Sequence, residues 1–501
     1  MSIYNKLFDW QKKIVDTFES RNDFGIFLDC GLGKTPVSLA FAERHKATKI
    51  IVVTINGKAI EDEKIKGSWL DWAEQMELKY SLYNKKSKQA FDKKSNEIFV
   101  INYESLFSRT TKKTSKMVLS ERIKEFIDSC GKENIVMIVD ESHNIKSLQA
   151  QKSLAINRIK QELKFRAASF HSYLLTGTPF TQGFIDLYAQ LKFLGYPDNK
   201  ETFCNNFCVR GCIPGLLGWQ QPIVGYKNIP FLYDTIHKYA ITIKNTDVIK
   251  LPGQTFVKHE IPLSIAFNTF TNEKLYQHEI CKFKKIDFEE KLKGKVNNPF
   301  YRNLDYPDTK YLAETTGAFW LRSRQISIGF LGNAGECEWY DTTRLKSLEK
   351  FLSENEDNYA LFYNFTPELL EIYSICEKLG YNIDVYSGEV KSTFFYEKYS
   401  HQSEEEQLVN KKNIILANFA SGSTGMNWQN YHQCILFSIP LFKDYTQALA
   451  RIYRIGQKDP VVYHTFYQNN WLDKSMIKAL EEGKTYNNDM FESDYKKEKL
   501  F

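Results

Sequence analysis

The sequence predicts an α/β protein of two lobes, each a mainly parallel sheet flanked by helices. Short, β-branched apolar runs recur between polar, helix-like stretches, and they fall into two series separated by a segment of different composition. The length of 501 residues also exceeds a single small domain and, at roughly 150 residues per unit, allows about three.

The first series comprises residues 49–54 (KIIVVT), 97–102 (EIFVIN), 134–140 (NIVMIVD) and 172–176 (SYLLT). Strands covered on both faces read as unbroken apolar runs, which is how these segments read. The second series comprises residues 359–363, 383–386, 413–417, 434–438 and 461–466. Strands that alternate with helical stretches favour parallel sheets. Between the series the chain turns charged and aromatic, as in CKFKKIDFEEKLKGK. The expected organisation is therefore a lobe over 1–250, a linker with a helical insertion over 251–340, and a second lobe over 341–501 that ends in a short solvated tail. No fixed-period repeat or low-complexity tract is present.

Apolar residues make up 43% and charged residues 26%, a globular balance far from that of a disordered chain. The net charge of +6 permits a nucleic-acid partner without requiring one. No apolar run approaches the roughly 18 residues of a membrane span, and the start, MSIYNKLFDWQKK, has neither a signal-peptide core nor an Arg-rich transit pattern. The expectation is a soluble, intracellular protein with no membrane partner. Nine cysteines, an odd number scattered along the chain, fit reduced thiols better than a disulfide framework.

The sharpest motif is Gly31-Leu32-Gly33-Lys34-Thr35, after the apolar run 24–28 and before a predicted helix over 36–46. Glycines let backbone N–H groups approach phosphate, and the helix N-terminus favours negative charge. Lys34 reaches the terminal phosphates, and Thr35 can ligand Mg²⁺. The general pattern has glycine where this chain has Leu28. A glycine-rich turn before a core helix is the weaker alternative for this motif taken alone.

The pair Asp140-Glu141 closes the apolar run IVMIVD. A carboxylate at a buried strand end can hold Mg²⁺ through its water shell, and its neighbour can polarise an attacking water. Two acids at a strand end also describe a solvated turn, a reading that recedes beside a phosphate loop. Farther on, Arg451 and Arg454 stand three apart in QALARIYRIGQ. This spacing puts both guanidiniums on one helical face, within reach of one polyphosphate. The same spacing describes a salt-bridged surface helix.

The strings DCGLGKT, DESH, LLTGTP, SGSTGMNW and QALARIYRIGQ, in that order, resemble the motifs of the Swi/Snf-type ATPases of helicase superfamily two, in a minimal bacterial or phage form. LFDWQ, INYESL, HNIK, FYNFT and YSG extend the resemblance over nearly the whole chain. It implies two RecA-like lobes that clamp ATP and walk along double-stranded DNA. By the same resemblance Gln11 reads adenine, although an exposed helix glutamine describes it equally. Thr176, Gly177 and Thr178 couple hydrolysis to movement, where a Pro-terminated turn is the alternative. Gly425 and Asn427 lie at the lobe interface, and Gln447, Arg451 and Arg454 face the phosphates.

The chain departs from the family in several places. Asp29-Cys30 replace the usual acidic-methionine lead-in with one residue fewer, Ser142 stands where Ala or Gly is common, and Ala450 stands where Gly is common. Basic clusters at Lys85, Lys86, Lys88, Lys93 and Lys94 and at Arg109, Lys112, Lys113 and Lys116 suit phosphate contact or a solvated face equally. Cys204, Cys208 and Cys212 repeat every four residues, which favours a buried helical stripe over zinc.

The expected function is ATP- and Mg²⁺-dependent translocation on double-stranded DNA by a protein that is monomeric in isolation. Glu141 is the general base, Lys34, Arg451 and Arg454 stabilise phosphate charge, and Asp140 and Thr35 hold the metal. Replication, recombination or nuclease partners would supply specificity. A strand-separating helicase or restriction-system motor uses the same core, and a non-hydrolysing nucleic-acid scaffold is the alternative outside enzymes.

Overall fold

The structure, a computed structural model, describes residues 2–55, 61–62, 65–66, 68–75, 79–82, 97–108, 118–180, 183–211, 223–248, 250–264, 267, 271, 316–333, 336–387, 412–422, 428–487, 490–491 and 493–495. The chain divides into two compact units, Met1–Lys250 and Leu251–Phe501.

The first unit is built on seven strands: β1 (Asp23–Leu28), β2 (Lys49–Thr54), β3 (Lys79–Leu82), β4 (Glu97–Asn102), β5 (Asn134–Asp140), β6 (Ser169–Leu175) and β7 (Ala240–Ile243). Their order across the sheet is β7-β1-β6-β5-β2-β4-β3, and every pairing is parallel. The apolar runs place cores on both faces. Phe99, Met137 and Val139 join one layer, while Ile26, Val52 and Ile138 join the other. Where β7 meets β1 the sheet needs a glycine, because a Cβ on Gly25 would stand 2.6 Å from that of Ala240.

The second unit carries β8 (Gln254–Ile261), β9 (Tyr359–Tyr363), β10 (Asn382–Tyr386), β11 (Asn413–Asn418), β12 (Gln433–Leu436) and β13 (Val461–Gln468). They are ordered β8-β13-β12-β9-β11-β10 and again all parallel. Both sheets thus have the predicted character. One assignment changes: Gln254–Ile261, which the sequence places in a linker, is an edge strand paired along its whole length with β13. An edge strand with one solvated side carries polar residues such as Lys258 and Glu260, so its composition does not resemble that of a central strand. Residues 281–295, read from sequence as helical insertion, lie outside the described residues.

A buried ion pair organises the second unit. Arg344, on helix Thr343–Glu354, donates to the carbonyls of Phe437 (2.9 Å) and Phe466 (2.7 Å) and to Asp473 Oδ2 (2.7 Å). Asp473, on helix Trp471–Glu481, also accepts the Gln468 N–H at 2.8 Å. Through its two terminal nitrogens one guanidinium therefore joins the strand segments at Phe437 and Phe466 to two helices, and the paired carboxylate offsets the burial of its charge.

Candidate active site

In a parallel sheet the chain leaves every strand at the same edge, which is where ligand sites form. The first unit gathers the phosphate loop after β1, the TGT segment after β6 and Asp140-Glu141 after β5 at that edge, and β6 lies between the other two strands.

The loop closes on itself. Gly31 and Gly33 have φ of 87° and 73°, values that glycine adopts without strain. Gly33 caps α1 (Lys34–Arg44), which begins two residues earlier than the sequence predicts because Lys34 and Thr35 already form its first turn. The buried Lys34 ammonium donates to the carbonyls of Leu28 (2.8 Å) and Asp29 (3.1 Å), so its charge is held inside the loop. Leu32 is fully buried and Thr35 half-buried.

Gln11 is not an exposed helix residue. It is buried, its Oε1 accepts the Phe8 N–H at 3.0 Å, and its Nε2 donates to the Leu32 carbonyl at 2.9 Å. A Cβ on Gly33 would come within 2.5 Å of that Nε2. Asp29 accepts the Asn245 N–H at 2.9 Å, which gives the unusual Asp29-Cys30 lead-in a structural use. Burial pushes the Asp29 carboxyl up from its ordinary pKa, opposed by the Asn245 N–H and the Lys34 charge.

Asp140 and Glu141 are both buried. Asp140 Oδ2 accepts from Thr54 Oγ1 at 2.9 Å and Trp69 Nε1 at 3.1 Å, and Oδ1 accepts the Glu141 N–H at 3.0 Å. Glu141 has φ 53°, a left-handed conformation uncommon for a residue with a side chain. Neighbours hold its peptide carbonyl: Tyr103 Oη donates to it at 3.3 Å and to the Asp140 carbonyl at 2.7 Å, and Asn144 Nδ2 donates to it at 2.8 Å. Burial raises the Tyr103 phenol well above its ordinary pKa, so it remains a donor.

His143 links the acid pair to the TGT segment. Its Nδ1 lies 3.3 Å from Glu141 Oε2 and 3.2 Å from Thr176 Oγ1, and the Thr178 N–H donates to Thr176 Oγ1 at 3.0 Å. Gly177 packs against the loop lead-in: a Cβ there would sit 3.0 Å from Cys30 Sγ and 3.2 Å from Cys30 N. Ser142 donates to Gln190 Oε1 at 2.8 Å, a use for the hydroxyl where Ala or Gly is usual. Thr54, Trp69, Tyr103, His143 and Gln190 thus frame the site although sequence reasoning gave them no role. Their neighbourhood in INYESL and DESH was the available signal for Tyr103 and His143.

In the second unit, Gln447 is buried on α2 (Phe442–Ile452), and Arg451 lies half-buried near the end of that helix. The helix stops at Ile452, so Arg454 does not continue its face as the three-residue spacing suggests. The cause is local: Gln457 Nε2 donates to the carbonyls of Tyr431 (2.9 Å) and Ile452 (3.3 Å), and Gly456 takes φ 96°. The Arg451 and Arg454 carbonyls accept from Trp428 N and Gln457 N, both at 3.0 Å. Gly425, Asn427, Cys212 and the basic clusters at 85–94 and 109–116 lie outside the described residues. Cys204 ends up in helix Lys200–Phe207 while Cys208 begins a strand, so the two do not share one helical stripe. Among the described residues no group of three or more His, Cys, Asp or Glu is placed to hold a metal, no described cysteine is in a disulfide, and no helix is long and apolar enough to cross a membrane.

A parallel sheet with a glycine loop opening a helix and an acid pair two strands away defines a RecA-like lobe. Residues 5–180 match the family described as type III restriction enzyme, res subunit. The SWI/SNF-related matrix-associated actin-dependent regulator of chromatin subfamily A member 1 of Mus musculus is 22% identical over 367 residues, covering 69% of this chain and 30% of its own length. Its Homo sapiens counterpart is 23% identical over 364 residues with the same coverages. The chain thus spans under a third of the length of these curated relatives. The solved Sulfolobus solfataricus SWI2/SNF2 ATPase core in complex with dsDNA is 17% identical, with a TM-score of 0.38 over 95% of this chain and 91% of that one. Motif order and sequence comparison agree that the chain is similar to the Swi/Snf-type, helicase-like ATPases.

Proposed function

We propose that this chain is an ATP-driven translocase on double-stranded DNA, of a minimal bacterial or phage type. The observation that carries the reading is the sheet edge of the first unit, where a buried lysine inside a glycine loop and a buried Asp-Glu pair stand two strands apart.

The residues present fit ATP with Mg²⁺. A loop with two left-handed glycines ahead of a helix N-terminus suits phosphate, and a hydroxyl with a carboxylate is the hard oxygen set that Mg²⁺ prefers. In this reading Lys34 and the N–H groups of Gly31 to Thr35 bind the phosphates, Thr35 and Asp140 hold Mg²⁺, and Gln11 meets the base. Bound Mg²⁺ supplies neutralisation of charge on the β- and γ-phosphate oxygens. Glu141 accepts a proton from the attacking water, and Arg451 and Arg454, with Gln447 on the same helix as Arg451, stabilise charge on the γ-phosphate. Thr176, Gly177 and Thr178, tied to Glu141 through His143, carry the state of the acid pair to the rest of the lobe. Duplex DNA is the substrate track, and partner proteins direct the motor to its task.

The test is steady-state ATPase with no nucleic acid, single-stranded DNA, duplex DNA and RNA, beside Lys34→Ala. Strong stimulation by duplex alone, absent in the variant, is expected, followed by displacement of a triplex-forming strand. Preference for single strands overturns the translocase in favour of a helicase. The match of residues 5–180 to a restriction-enzyme subunit favours a second reading, the motor of a restriction system. Nuclease activity appearing only with a partner subunit would select it.

A further inference from the structure

Asp140 is held by two donors that come from outside its own strand. Thr54 closes β2, the neighbour of β5 in a register that pairs Val53 with Val139, so its hydroxyl falls beside the carboxylate. Trp69 sits on helix Ser68–Gln75, fully buried in the same layer as Ala73, Ile98, Val136 and Ile138. Both donate to the same oxygen, Oδ2, at 2.9 Å and 3.1 Å. The indole N–H is a donor only, so Trp69 can orient the carboxylate but never compete with it for a cation.

A buried indole usually finds a hydrogen-bond partner, and any carbonyl would satisfy it. Here the partner is the one carboxylate that the site reading assigns to the metal. Groups that hydrogen-bond metal-holding carboxylates fix their orientation and thereby set metal affinity. The rigid indole spans from the helix that follows β2 to the end of β5, so the position of that helix and the orientation of the carboxylate are coupled.

We propose that Trp69, together with Thr54, is a positioning residue for the Mg²⁺ carboxylate Asp140. The inference rests on the reading of Asp140 given above. It separates Trp69 from an ordinary core tryptophan because loss of the N–H alone should alter metal dependence and leave nucleotide binding in the absence of metal unchanged.

The experiment uses the full chain with Trp69→Phe, which keeps an aromatic ring, and the near-isosteric Thr54→Val, which removes only the hydroxyl. Thr54→Ser serves as the conservative rescue. Two quantities are measured: the rise in melting temperature given by ATPγS in EDTA and in excess Mg²⁺, and the Mg²⁺ concentration that half-saturates ATP hydrolysis. In EDTA all variants should match the wild type in the nucleotide-induced rise. With Mg²⁺ the additional rise should shrink for Trp69→Phe and Thr54→Val, and half-saturating Mg²⁺ should increase about tenfold. Thr54→Ser should restore both. If Trp69→Phe fails to fold, Thr54→Val carries the same test.

A wild-type protein with Mg²⁺-dependent stabilisation, beside variants of unchanged metal dependence, overturns the inference and leaves the site reading intact. A wild-type protein whose stabilisation by nucleotide is indifferent to Mg²⁺ overturns the assignment of Asp140 itself.

Discussion

The two units share a sheet architecture and use buried polar groups for different ends. In the first, beside the buried structural pair Lys49–Glu97, one set of buried hydrogen bonds gathers around side chains proposed for chemistry: Lys34 with two carbonyls, Asp140 with Thr54 and Trp69, and the Glu141 peptide with Tyr103. In the second, a buried network around Arg344 and Asp473 joins strands to helices, while Arg451 and Arg454 are half-buried. A group that must hold one orientation is fixed by short bonds inside the lobe. Arg451 and Arg454 are less enclosed than Arg344, which is buried.

Glu141→Gln and Lys34→Ala should break that contrast most severely on the side of the first unit. Each is expected to lower hydrolysis about a hundredfold or more, the scale of a lost general base or phosphate cation, with little change in melting temperature for Glu141→Gln and a loss of about 1–3 kcal/mol for Lys34→Ala, which leaves the Leu28 and Asp29 carbonyls without their donor. A Glu141→Gln protein that turns over ATP normally would remove Glu141 from the mechanism. The mirror experiment is Arg344→Leu or Asp473→Asn. Removing one partner of a buried ion pair costs about 3–5 kcal/mol, so denaturant unfolding should lose the second unit early while the first still binds nucleotide. Equal destabilisation of both units would show that they do not unfold separately.

Tyr103→Phe should give an intermediate effect. It removes the hydroxyl that donates to the Asp140 and Glu141 carbonyls and leaves two buried acceptors weakened, at about 1–3 kcal/mol. Hydrolysis should fall several-fold more than nucleotide affinity, since the peptide it supports carries Glu141.

The smallest predicted effect treats the units alike. Each contains a histidine pair. His45 stacks on His171 at 3.5 Å between ring centroids in the first, and His259 Nε2 meets His464 Nδ1 at 3.0 Å in the second. Burial, with the neighbouring imidazole second, lowers His45 and His464 to about 4 from the usual 6.5. The unfolded chain therefore takes up protons before the folded one does. Stability is full above about pH 6.5 and declines as the pH falls toward 4. The loss should be on the order of a few degrees in melting temperature, since the part-exposed His45 ring is screened by solvent and His464 contributes the larger share. A melting temperature that rises over this interval would contradict the assignment.

The central strands were legible because a strand covered on both faces must be apolar throughout, and Lys49–Thr54, Glu97–Asn102 and Asn134–Asp140 are. The edge strand β8 was not, because its polar residues serve solvent. The candidate glycine loop and acid pair could be named from sequence because each is contiguous in the chain, and the structure places both at one sheet edge. Their supports were hidden: Thr54, Trp69 and Tyr103 reach Asp140 across 86, 71 and 37 residues, and only the sheet order brings them together. The Arg451–Arg454 spacing misled for the opposite reason. It assumed that a helix continues, and a glutamine six residues past Arg451 ends it.

The final strand of the first unit does more than complete a sheet. After β7 the chain bonds directly to the lead-in of the phosphate loop: the Asp29 N–H donates to the Ile243 carbonyl at 3.0 Å and Asn245 donates its N–H to Asp29 Oδ2. Only a short stretch separates these contacts from the boundary at Lys250. The chain that leaves the first unit near Lys250 is thus pinned, a few residues earlier, to the residues just ahead of Gly31, so the glycine loop and the exit of the unit share one anchor.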